Sequence, residues 1–196
     1  MKPASVATAA MLLAGCAAAP APRQAAPTVP PAPAASAAHR APSVANASFE
    51  DGMKPGERCA LGWDCTMHAG PDSHRFSLAE GAAAAGQRSF CVERVGTEPW
   101  VLVTQALQNL SELRSRRVRL SLAVRVEGAT GPGAGPWILA QSRPIANSSR
   151  LVTGTSGWQR VSAELLVPAD AQVLEFGAAL EGLGKACFDD VKLEVL

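Results

Sequence analysis

The sequence predicts an all-β antiparallel sandwich, and three features carry that expectation. Apolar and polar residues alternate over several short runs; Gly, Pro, Asn and Asp collect between the runs; and no stretch shows the spacing of a long amphipathic helix. Period-two alternation sends successive side chains to opposite faces of a sheet, so one face is buried and the other solvated.

Taken in order, Ala82–Ala85 reads first as a helical turn framed by Gly81 and Gly86. Trp100 follows a turn at Pro99 and precedes an alternating strand. Val118, Leu120, Leu122, Val124 and Val126 fall on one face, with Arg119, Ser121, Arg125 and Glu127 on the other. Gly131-Pro132-Gly133-Ala134-Gly135-Pro136 reads as a flexible loop leading to Trp137. Trp158 to Val167 forms another run, stopped by Pro168. Leu174, Phe176, Ala178 and Leu180 repeat the alternation, as do Val191, Leu193 and Val195.

Composition narrows the function. The net charge of +1 gives no electrostatic case for nucleic acid or an anionic surface. Tyr is absent and there are only 4 Trp, so the place of each indole matters.

The amino terminus has a different character. Lys2 is followed by a mostly small, apolar run from Ala4 to Gly15, of signal-peptide length and far short of the roughly 20 residues a spanning helix needs. Leu13-Ala14-Gly15-Cys16 resembles the lipobox of bacterial lipoproteins, in which the leader is removed and the cysteine is acylated with chains such as palmitate. The resemblance implies a signal peptide over residues 1–15, lipidation at Cys16 and a membrane partner held through lipid. Ala17 after the cysteine, by similarity to lipoprotein sorting rules, implies the outer membrane and a periplasm-facing or surface-facing protein. Residues 16–43 then form a disordered Ala/Pro-rich tether. Its prolines favour polyproline II, reaching on the order of 80 Å if fully extended at ~3.1 Å per residue.

With Cys16 given to lipid, Cys59, Cys65, Cys91 and Cys187 remain. In an oxidising envelope they allow up to two disulfides in three connectivities, of which Cys59–Cys65 with Cys91–Cys187 is preferred. Cys59-x5-Cys65-x2-His68-x5-His74 also has zinc-ligand residue types, at looser spacing than a usual Cys-x2–4-Cys pair.

Several fragments of residues 44–196 together resemble galactose-binding-like jelly rolls, the fold of many carbohydrate-binding modules. They are Asn46-Ala47-Ser48-Phe49-Glu50-Asp51-Gly52 as opening strand, Gly62-Trp63, Gly86-Gln87-Arg88-Ser89-Phe90-Cys91-Val92 as the next core strand, Gln105, Gly157-Trp158-Gln159-Arg160-Val161 and Phe188-Asp189-Asp190-Val191-Lys192-Leu193. The ending, with Arg143-Pro144-Ile145 upstream, is similar to accessory domains beside secreted C-terminal-processing peptidases. The resemblance implies a saccharide or peptidoglycan ligand, with Trp100, Trp137, Gln105 and Arg125 as candidate contacts, while Trp63 and Trp158 pack the sandwich. It also implies a structural calcium held by Glu50 and Asp189, which would need further oxygen ligands. An envelope protein docked on the same sandwich is the alternative partner.

Catalysis has little support in the sequence. Gly154-Thr155-Ser156-Gly157 lacks the spacing of a nucleophile elbow, and Asp72-Ser73-His74 after Pro71 reads as a polar turn. A non-enzymatic binding module is the expectation.

Overall fold

In the computed structural model, residues 42–53 and 56–196 are described; Cys16, the leader and most of the tether lie outside them. The described residues form nine strands: β1 (Asp64–Met67), β2 (His74–Glu80), β3 (Arg88–Arg94), β4 (Trp100–Leu107), β5 (Arg117–Gln141), β6 (Ala146–Ser149), β7 (Val152–Leu166), β8 (Val173–Glu181) and β9 (Lys185–Val195). Every strand pairing is antiparallel, and the fold is a jelly-roll sandwich.

One long strand builds both layers. Residues 117–127 of β5 pair with β9 and β7, and β9 continues to β3 and β2. Residues 133–141 of the same strand pair with β8 and β6, and β8 continues to β4 and β1. The stretch expected as a flexible loop, 131–136, is therefore the part of β5 that passes between layers. Gly133 makes the passage feasible: its φ is +106°, and a Cβ there would lie 2.3 Å from the Val152 carbonyl oxygen. The Arg150 N–H donates to the Pro136 carbonyl (3.1 Å), so the Pro-Gly composition still finds backbone partners.

The alternation predicted from sequence fixes the inner faces. Val118, Leu120, Leu122 and Val124 from one layer meet Leu174, Phe176, Leu180 and Ile138 from the other, all buried. Full burial of each such side chain stabilises the fold by about 1.5–3 kcal/mol. Phe49 extends this core at one edge, with its ring 5.2 Å from Trp63 and 5.5 Å from Phe90. Cys59–Cys65 and Cys91–Cys187 are both disulfides, the preferred pairing.

Two local expectations fail. Residues 45–51 form successive turns rather than an opening strand. Asn46 takes a positive φ of 43°, its Nδ2 donates to the Leu61 carbonyl and its Oδ1 accepts the Asp51 N–H, so side-chain bonds replace a ladder. Residues 81–87 contain bends and no helical turn. Their amides are drawn off instead by two carboxylates, described below.

Candidate functional site

The outward face of the layer β1-β4-β8-β5-β6 follows from register. Trp100 pairs with Glu181, which pairs with Gly133; Leu102 pairs with Ala179, which pairs with Gly135; Thr104 pairs with Gly177, which pairs with Trp137. Leu174, Phe176, Ala178 and Leu180 point into the core, so Glu175, Gly177, Ala179 and Glu181 point outward. Gly177 and Ala179 on β8 are small and are covered by larger residues on β4 and β5. Trp100, Leu102, Trp137 and Glu181 line a cavity of about 300 Å³ there. His68 meets the Trp100 ring edge-on at 6.2 Å and is itself paired with Glu98 at 3.1 Å.

The same face carries a larger cavity toward the other end of β8. It measures about 650 Å³ and is lined by Leu139, Gln141, Arg143, Asp170, Gln172 and Glu175, among others. Gln141 Nε2 donates to Glu175 Oε1 (2.5 Å), and Asp170 Oδ2 accepts the Arg143 N–H (3.0 Å). Glu175 and Glu181 are six residues apart on one strand, about 20 Å at the usual strand rise. At the Glu181 end, Gly182 has φ +107°, and a Cβ there would lie 1.9 Å from the Thr130 carbonyl oxygen. Its N–H donates to the Pro99 carbonyl at 2.8 Å, which ties the residue after Glu181 to the residue before Trp100.

The structure brings Trp100 and Trp137 together but separates them from the other two candidate contacts. Gln105 has the opposite parity to Trp100 on β4, and its amide is taken up by Ala45. Arg125 belongs to the half of β5 in the other layer. Its guanidinium lies 5.5 Å from the Trp158 ring centroid and 3.5 Å from Glu127. The expected four-residue contact surface is therefore two surfaces and a clamp. Leu102, Glu181 and the polar cavity were not anticipated. The signal for them was present: Gly177 and Ala179 are small residues at outward positions of an otherwise bulky strand.

Trp63 is buried and donates its Nε1–H to the Asn46 carbonyl (3.1 Å). Trp158 is half-buried and donates to the Ala82 carbonyl (3.1 Å). Both serve packing.

Glu50 and Asp189, the candidate calcium pair, both act on the 84–88 segment. Glu50 Oε1 accepts the N–H groups of Gln87 (2.8 Å) and Arg88 (2.9 Å). Those bonds hold its carboxyl below the ordinary carboxylate range. Asp189 is 0% exposed; its Oδ2 accepts the N–H groups of Ala84 and Ala85, both at 2.8 Å, and its Oδ1 accepts that of Asp190 at 2.7 Å. Burial raises the Asp189 pKa in spite of these bonds. Among the described residues no three His, Cys, Asp or Glu side chains gather as a metal cluster. Both carboxylates are engaged by backbone amides.

The zinc reading is corrected by covalent chemistry. Cys59 and Cys65 are joined to each other and offer no thiolate. The Asp72-Ser73-His74 turn holds no relay either. The Ser73 carbonyl accepts the N–H groups of Val95 (2.8 Å) and Gly96 (3.0 Å), while both ring nitrogens of buried His74 lack a hydrogen-bond partner. Burial lowers the His74 pKa, with Arg94 adding to the effect.

No protein-family model and no curated protein sequence matches the chain. Solved structures do share its fold. The C-terminal family 22 carbohydrate binding module of Clostridium thermocellum Xyn10B is 16% identical with a TM-score of 0.53, over 78% of this chain and 95% of that one. The xylan-binding CBM22-1 domain of Paenibacillus barcinonensis Xyn10C is 14% identical with a TM-score of 0.51, over 76% and 90%. TmCBM61, solved in complex with β-1,4-galactotriose, is 13% identical with a TM-score of 0.51, over 78% and 97%. At these identities the likeness is one of fold.

Proposed function

We propose that this protein is a non-catalytic saccharide-binding module, held by acylated Cys16 and an Ala/Pro-rich tether at a bacterial outer membrane. The observation that supports the binding reading is the placement of Trp100 and Trp137 around one cavity, with Leu102 and Glu181. Indole faces stack on the CH surfaces of sugar rings, and two indoles at one cavity offer such a ring apolar contacts. The adjoining cavity supplies amide, guanidinium and carboxylate groups suited to hydroxyls. Similarity of fold to carbohydrate-binding modules adds to this reading. The lipid anchor rests on the Leu13-Ala14-Gly15-Cys16 motif, which lies outside the described residues.

Affinity electrophoresis through gels containing xylan or β-1,4-galactan, with a peptidoglycan pull-down alongside, tests the proposal. At least one matrix retards the protein, and Trp100→Ala and Trp137→Ala each weaken retention about tenfold, equivalent to ~1.4 kcal/mol. Retention unchanged in both variants removes the groove as the site. Absence of retention by every glycan, with capture of an envelope protein that depends on the same tryptophans, favours the docking alternative.

A further inference from the structure

The groove contains a charge that the protein leaves unmatched. Glu181 is half-buried and shares its cavity with Trp100, Leu102 and Trp137. Several acidic side chains of the surface have basic partners: Glu93 has Arg75, Glu164 has Arg119, and Asp190 has Lys192; Glu181, like Glu175 and Asp170 on the same face, has none among the described residues. Among the described residues no Lys, Arg or His stands within ion-pairing distance of the Glu181 carboxylate. Removing water from a lone carboxylate is unfavourable unless a cation or hydrogen-bond donors replace it. Indole faces attract cations as well, through their ring quadrupole. Two indoles and one unmatched carboxylate around a single small cavity are therefore more selective for a positive group than for a neutral hydroxyl.

The geometry points to a ligand class: an amino sugar with a free ammonium, received by Glu181 between Trp100 and Trp137, within a polymer of de-N-acetylated hexosamine. This inference rests on the saccharide reading and narrows it. The ring of such a sugar has the CH faces that indoles stack on, and its ammonium has the charge the carboxylate lacks. The outward face continues to the cavity beside Glu175, about 20 Å along β8, so several linked rings can lie along it. At that end Glu175 and Asp170 add two carboxylates, with Arg143 lining the same cavity. His68, which meets the Trp100 ring edge-on, is bonded to Glu98 and not to Glu181.

Calorimetry on the intact chain in mild detergent, with hexaglucosamine, its fully N-acetylated counterpart and xylohexaose as probes, tests the inference. Hexaglucosamine binds about tenfold or more tightly than the other two at low salt, and the margin narrows as ionic strength rises. Glu181→Gln removes the margin, so that the cationic and acetylated hexamers bind alike. A margin unchanged in Glu181→Gln, or tighter binding of the acetylated or neutral hexamer, overturns the inference. In either of those cases, loss of oligosaccharide binding in Trp100→Ala and Trp137→Ala leaves the saccharide reading standing. Failure of all three probes overturns the inference, and glycan retention in the gel assay decides the broader reading separately. Poly-lysine that displaces hexaglucosamine at equal concentration of charge also overturns it, since the cavity then reads charge without the sugar.

Discussion

Gln105 holds Ala45 by both of its backbone polar groups: Oε1 accepts the Ala45 N–H at 3.0 Å, and Nε2 donates to the Ala45 carbonyl at 2.6 Å. The side chain thus completes, at the edge of β4, the backbone pairing that another strand would provide. Residues 42–44, the first described, lie just before it, so this clamp holds the start of the described chain to β4. Gln105→Ala removes both bonds and lowers stability by about 1 kcal/mol. Limited proteolysis followed by mass mapping checks the effect: cleavage within residues 42–47 accelerates relative to the parent protein. Equal cleavage rates would show that Trp63 and Phe49 alone secure the segment.

Glu50 and Asp189 give stability opposite dependences on pH. The lowered pKa of Glu50 means its contribution is present above its ordinary value of 4.5 and is lost as pH falls through the lowered value. The raised pKa of Asp189 means its contribution is present below its ordinary value of 3.8 and is lost as pH rises through the raised value. Urea unfolding from pH 7 to pH 3 separates them. The deficit of Glu50→Gln relative to the parent shrinks on acidification. Asp189→Asn is destabilised at every pH by about 1–3 kcal/mol, because its amide cannot accept from Ala84, Ala85 and Asp190 together. A Glu50→Gln deficit that does not change with pH would contradict the assignment.

The two disulfides differ in the length of chain they close. Cys91 and Cys187 are 96 residues apart in sequence, Cys59 and Cys65 only 6. In the chain-entropy account, the long closure stabilises by about 4–5 kcal/mol and the short one by about 2 kcal/mol. Cys91→Ala/Cys187→Ala therefore lowers the unfolding midpoint much further than Cys59→Ala/Cys65→Ala. Equal losses in the two double variants would refute this ordering.

Anchoring is tested independently of the fold. Cys16→Ala in the native host moves the protein from the membrane pellet to the soluble fraction, read by fractionation and immunoblot. Tight membrane association of the variant would remove the lipid anchor from the proposal.

Much of the fold was legible in the chain. The alternations at Val118–Val126 and Leu174–Leu180 set which side chains face inward, because burial of apolar surface is written into the period of a strand. Even the two outward tryptophans were identifiable, each beside a turn or Gly-Pro segment. The partners assigned to them were not. Gln105 shares β4 with Trp100, and Arg125 shares β5 with Trp137, yet neither reaches the groove. Parity turns Gln105 away, and the passage of β5 between layers carries Arg125 to the opposite sheet.

The sequence by itself determined the class of fold, the inner face of each main strand and an even set of cysteines after Cys16. Those are local properties, set by side-chain polarity and spacing. Tertiary structure alone decided that Trp100, Glu181 and Trp137 share one cavity, and that Glu50 and Asp189 bind the same loop. Convergence depends on cross-strand register, and register is settled by turns, bulges and glycine bends far apart in the chain. A period of two tells each strand which side to bury, but not which neighbour will stand beside it.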